Sequence, residues 1–135
     1  MRTAIFNLLI FSLAILTTSC SPIWELEFWN DTGQEVVVIK IHGEKKTRYA
    51  AAVESAVTVP TPSIFQILRA GDAWDYRLPP IPKDFWQRAP VNRIRAKLRI
   101  NKDGEIYLLS PKAGRFYSDS IQQPAGFPLK PRRKD

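Results

Sequence analysis

One cysteine and one histidine stand among the 135 residues of this chain. A lone cysteine excludes an intrachain disulfide, so the domain must hold itself together by packing. Cys20 and His42 cannot complete a structural zinc site, which needs four such ligands. The chain has no G-x-S-x-G elbow and no phosphate-cradling glycine loop. These absences leave nothing that marks an enzyme, a metal protein or a cofactor protein. Six glycines stand against eleven prolines, and the residues between them are rich in β-branched and aromatic types. That composition favours strands over helices. Neither an internal repeat nor a low-complexity run occurs.

What is present begins at the N-terminus. Arg2 precedes an apolar run over residues 4–16, and Thr17-Thr18-Ser19-Cys20 follows. A basic start, an apolar core and small residues at the cut form a secretory signal peptide. The run is shorter than the roughly 20 residues of a membrane span, and Asn7 and Ser12 interrupt it. A cysteine directly after the cut resembles the lipobox of bacterial lipoproteins. Thr17 stands where that family usually has leucine, and Leu16 lies one position further back. The resemblance implies cleavage before Cys20, a diacylglycerol thioether on its sulfur and an N-acyl chain. It also implies an envelope location, with Ser21 pointing to the outer membrane, facing the periplasm. Two rival readings are ordinary cleavage that leaves a soluble protein and an uncleaved anchor, and the short run weighs against the second. Lipidation accounts for an unpaired thiol in an oxidising compartment. Several acyl chains make a firm anchor, at about 0.8 kcal/mol per buried methylene.

The domain expectation is a signal peptide over 1–19, one β domain over 20–121, and a flexible basic, proline-spaced tail over 122–135. The formal charge is +7, and loss of Arg2 leaves +6. A basic exported protein is drawn to anionic lipid, to peptidoglycan or to an acidic envelope protein. No nucleic-acid partner is expected, because that compartment holds little of it.

Residues 23–30 alternate, with Trp24, Leu26 and Phe28 against Glu25 and Glu27, which predicts a half-buried strand. Asn30-Asp31-Thr32-Gly33 is turn chemistry. Residues 35–42 are almost continuously apolar and predict a central strand covered on both sides. A turn at 42–45 leads to a strand over 46–53, with Tyr49, Ala51 and Val53 on one face. A short strand at 56–59 stops at Pro60 and Pro62. Residues 63–70 and 73–78 form a hairpin. Four prolines mark 79–90 as a long loop with a helical turn at 83–87. Residues 93–100 set Ile94, Ala96, Leu98 and Ile100 against Arg93, Arg95, Lys97 and Arg99. A partner strand follows over 105–110. Polarity fixes its register. A three-residue loop, Lys102-Asp103-Gly104, pairs Ile100 with Ile106 and Leu98 with Leu108, whereas a two-residue loop would mix the faces. Gly104 then takes the left-handed position. Phe116-Tyr117 is expected to dock on the domain. The sum is an all-β domain of about seven strands, a small sandwich of immunoglobulin-like or transthyretin-like outline, with a small open barrel as alternative.

Three features carry candidate function. The row Arg93, Arg95, Lys97 and Arg99 has side chains about 6.5–7 Å apart and can track phosphates, wall carboxylates or an acidic partner. Its bland reading is a solvated face neutralised by acids such as Glu25, Glu27 and Glu54. Phe85-Trp86 can stack on a sugar or anchor a partner, or can simply plug the end of the domain. The basic tail can bind an anionic surface or be a plain disordered end. His42 reads as a solvated turn residue, and Asp72 and Asp75 as turn and strand positions. The function expected is a non-catalytic binding or assembly module on the membrane, with a periplasmic inhibitor or immunity lipoprotein that blocks a hydrolase through the 79–90 loop as alternative.

Overall fold

The computed structural model describes residues 20–112 and 122–132. The signal peptide and Phe116-Tyr117 lie outside them. Nine strands follow one another: β1 (Ile23–Asp31), β2 (Val36–His42), β3 (Lys45–Ala51), β4 (Ala56–Pro60), β5 (Ile64–Arg69), β6 (Asp72–Arg77), β7 (Gln87–Ala89), β8 (Arg93–Asn101) and β9 (Ile106–Leu108). They form two sheets. The first runs β4-β1-β8, with β7 and β9 sharing the far edge of β8, and the second runs β3-β2-β5-β6. The domain is an all-β sandwich-like fold, with no closed barrel.

The alternation of β1 and β8 becomes the core of the first sheet. The two strands pair in parallel, Leu26 beside Ala96 and Phe28 beside Leu98, and all four are buried. From the second sheet Val36, Val38, Phe65, Ile67, Trp74 and Tyr76 meet them. Phe65 touches Phe28 at 5.3 Å between ring centroids and stacks on Tyr76 at 5.1 Å. β2 is central between β3 and β5, as its apolar run predicts. Pro60 ends β4, an edge strand, where its missing donor removes no ladder bond from a central position.

The hairpins follow their turn chemistry. In β8–β9, Ile100 pairs with Ile106 and Leu98 with Leu108 around the loop Lys102-Asp103-Gly104, in the predicted register. Gly104 has φ +84°, and a Cβ there would stand 3.1 Å from the Trp74 ring. Both constraints select glycine. The Tyr76 hydroxyl donates to the Gly104 carbonyl at 2.6 Å, and burial pushes that phenol well above its ordinary pKa. β2–β3 turns through Gly43-Glu44 with positive φ at Gly43 alone, which suits a type II′ hairpin.

Several expectations are corrected. The first strand runs one residue past the expected 23–30, to Asp31, and Asn30, which also opens the expected turn, is no surface residue: it is 2 % exposed. Its amide donates to the carbonyls of Gln34, Ala51 and Ala52, and its Oδ1 accepts from the Thr32 backbone and hydroxyl. β3 stops at Ala51, and Val53 is exposed. The loop at 79–90 contains only one 3-10 turn, Lys83–Phe85, followed by β7 on the edge of β8. Prolines flank β7 without entering it.

The largest correction concerns the tail. Residues 122–132 return to the domain and lace the two sheets together. Leu129 exchanges backbone bonds with Ile106 of β9 at 2.8 and 2.9 Å, and Arg132 with Asp75 of β6 at 2.9 and 3.3 Å. Phe127 and Leu129 are buried in the core. The Gln123 side chain accepts from the Leu108 amide and donates to the Leu108 carbonyl, both at 2.9 Å. A few apolar side chains spaced by prolines thus act as a strap across the open edge.

Candidate functional site

Antiparallel alternation sends the chain back and forth between two ends of the sandwich. One end gathers the start of β1, the β2–β3 hairpin, the β4–β5 connection and the β7–β8 turn. Cys20 emerges there. The Asn92 amide donates to the Cys20 carbonyl at 3.0 Å, and the Ile23 amide donates to the Asn92 carbonyl at 3.1 Å. Those bonds place the first residue after the expected cut against the β7–β8 turn. In that turn Val91 and Asn92 have φ +60° and +52°. A β-branched residue at such a φ is an outlier. Val91 is nonetheless 85 % exposed. Ile23 and Trp24, the first residues of β1 at the same end, are each 47 % exposed.

The aromatic pair in the 79–90 loop packs at this same end. Trp86 meets Trp24 edge to face, 4.9 Å between centroids, and its indole N–H donates to the Ile81 carbonyl at 3.3 Å. Phe85 and Trp86 lie half-buried on the core. The arrangement agrees with the plug reading, since a loop built to enter another protein's active site would leave its aromatics free.

The basic row lies on the outer face of the first sheet, where the sequence puts it, but parallel pairing sets Glu25 beside Arg95 and Glu27 beside Lys97. Arg95 donates to Glu25 Oε1 at 2.6 and 2.9 Å, and Arg93 to Glu25 Oε2 at 2.7 Å. Glu25 is only 1 % exposed. Burial is the largest single influence on its carboxyl and opposes ionisation. The hydrogen bonds and charges of Arg95 and Arg93 together outweigh it and hold the carboxyl below its ordinary pKa. Arg95 also lies 3.8 Å from Glu27. Lys97 reaches the Pro111 carbonyl at 3.5 Å. Arg99 is 9 % exposed, bonds Asn101 and lies near the Tyr107 ring. This row is a packed, partly neutralised layer rather than an open cationic track.

Sequence reasoning missed a second cationic cluster. On the core-facing side of the second sheet, Val36 and Val38 are buried, Lys40 is half-buried and His42 exposed. On neighbouring β3 the series is Ala51, Tyr49, Thr47 and Lys45, again from core to solvent. Lys40 stands opposite Thr47, and His42 opposite Lys45. Lys40, His42, Lys45, Thr47 and Tyr49 line a cleft of about 370 Å³ at the end that holds Cys20. The period-2 pattern carries this signal. It is hidden because Lys40 interrupts an apolar run and His42 and Lys45 look like turn residues.

At the opposite end, Asp31, Arg99, Asn101, Lys102 and Asp103 line an open cleft of about 380 Å³ with mixed charge. No group of three or more His, Cys, Asp or Glu placed to hold a metal occurs among the described residues. No helix among them is long and apolar enough to cross a membrane. Set against protein-family models, curated proteins and solved structures, the chain matches none of them.

Proposed function

We propose that the chain is a lipid-anchored envelope protein and a non-catalytic binding or assembly module, seated on the membrane by the end that holds Cys20. One observation carries this reading: Cys20, the strained and exposed Val91, Ile23 and Trp24 converge at one end of the sandwich. Exposed aliphatic side chains beside an indole suit a bilayer boundary, where one part of the surface is apolar and the other wet. The signal peptide that precedes Cys20 supplies the route to that surface. With this end on the lipid, the β5–β6 and β8–β9 hairpins point away from it.

The test is to express the full chain and a Cys20→Ala variant in bacteria fed an alkyne-bearing palmitate analogue. The reading expects label on the native chain in the membrane fraction and none on the variant. A native chain that is cleaved, unlabelled and released without detergent contradicts it.

A further inference from the structure

We infer that the cleft between β2 and β3 is a binding site for a phosphate group. Two lysines, an imidazole and two hydroxyl-bearing side chains line it, and no carboxylate does. Glu44, in the hairpin loop between His42 and Lys45, is not part of the lining. No side-chain hydrogen bond or ion pair joins Lys40, His42 or Lys45 to a described residue. The contrast with the β8 row is direct: there Glu25 stands opposite Arg95 and Glu27 opposite Lys97, whereas here Thr47 faces Lys40 and the imidazole of His42 faces Lys45, so two lysines share the cleft without an acid in its lining. Cations set side by side with no counter-charge repel each other, and an anion between them removes that penalty.

The shape of the cleft fits the same ligand. Lys40 is half-buried, stands opposite Phe65 of β5, and lines the cleft. Tyr49 packs on the core and forms the inner wall. Ammonium groups bind phosphate as point charges, and hydroxyls add directional donors. A volume of about 370 Å³ admits a phosphate with part of the group that bears it.

Two sources offer this chemistry: the headgroup of a phospholipid and a soluble phosphate compound. The cleft opens at the end that holds Cys20, which brings lipid headgroups within reach. Only that choice of source rests on the lipid-anchor reading; the phosphate site itself rests on the cleft.

His42 is the only histidine, so its ring signals report on this cleft alone. The full chain in non-ionic micelles is titrated with inorganic pyrophosphate while the His42 ring is followed by NMR. The inference expects a saturable shift, and at least a tenfold weaker one in Lys40→Gln/Lys45→Gln. A shift that does not saturate, or one that the double variant leaves unchanged, overturns it. Folding of the variant is checked by the unchanged signals of Trp74 and Tyr76 in the core. The full chain is then placed in phosphatidylcholine vesicles with and without phosphatidylglycerol. A His42 shift that needs phosphatidylglycerol and is displaced by pyrophosphate assigns the headgroup, whereas a response to pyrophosphate alone assigns a soluble phosphate. The micelle result stands whether or not Cys20 carries lipid, so the two readings fail separately.

Discussion

Arg95 grips Glu25 through two of its guanidinium nitrogens, at 2.6 and 2.9 Å, on the outer face of a sheet whose β1 and β8 run parallel. The pair is seventy residues apart in sequence. It converts half of a basic row into internal structure and leaves function to be sought elsewhere on the domain.

The first prediction concerns Glu25. Its replacement by glutamine removes the counter-charge of Arg93 and Arg95 and leaves an amide that cannot accept from both. A loss of about 2 kcal/mol is expected, read as a lower midpoint in urea unfolding. The pH dependence has a fixed sign. The carboxyl titrates below its ordinary value of 4.5 in the folded chain, so the folded state holds fewer protons there than the unfolded one. Its contribution is therefore complete above the ordinary value and is lost as pH falls through the lowered one. The native chain should lose stability on acidification across that window more steeply than Glu25→Gln. Equal slopes would show that the pair contributes nothing.

Gly104 and Gly43 form a matched test of two physical terms. Both have positive φ, +84° and +60°, but only Gly104 meets a neighbour, since a Cβ at Gly43 finds nothing within 4 Å. Gly43→Ala should cost about 1 kcal/mol from backbone conformation alone. Gly104→Ala should cost at least about 2 kcal/mol, because the Trp74 ring must also move. Thermal melts of the two variants decide the matter. Equal losses would mean that Trp74 yields freely.

The strap gives the third prediction. Leu129→Ala removes a buried side chain at the junction of β9 and the strap, and should cost about 2–4 kcal/mol. Ending the chain after residue 121 should cost more. It uncovers the core at Phe127 and Leu129 and leaves the Leu108 backbone without Gln123. Limited proteolysis of the truncated chain should then cut within β9. A truncated chain that melts like the native one would make the strap ornamental.

How much of this was legible follows from the range of each interaction. The β8–β9 hairpin could be read in register, because its loop is short and a slip would expose Leu98 and Ile100. The β5–β6 hairpin and the central place of β2 were legible for similar local reasons. Alternation in β1 told which side chains face inward, yet it could not name β8 as the neighbour, and so the burial of Glu25 was invisible. β7 was hidden by its flanking prolines and its length of three residues. Phe127 and Leu129 carry no periodicity and read as a tail. The cleft residues were each legible as a lysine, an imidazole or a hydroxyl, but their assembly depends on a hairpin that brings Lys40 opposite Thr47. Phe85-Trp86 stood out in the sequence as a binding pair or a plug, but its packing against Trp24 joins distant segments and no local pattern shows it.

The central claim is that the domain sits on a bilayer by the end that holds Cys20, and lipid contact at that end tests it most directly. Photoreactive benzoylphenylalanine is installed in the full chain in place of Val91 or, separately, of Asp103 in the β8–β9 loop at the far end. Irradiation in native membranes should join lipid to position 91 and not to position 103. Lipid adducts at 103 with none at 91, or none at either position, would contradict the account.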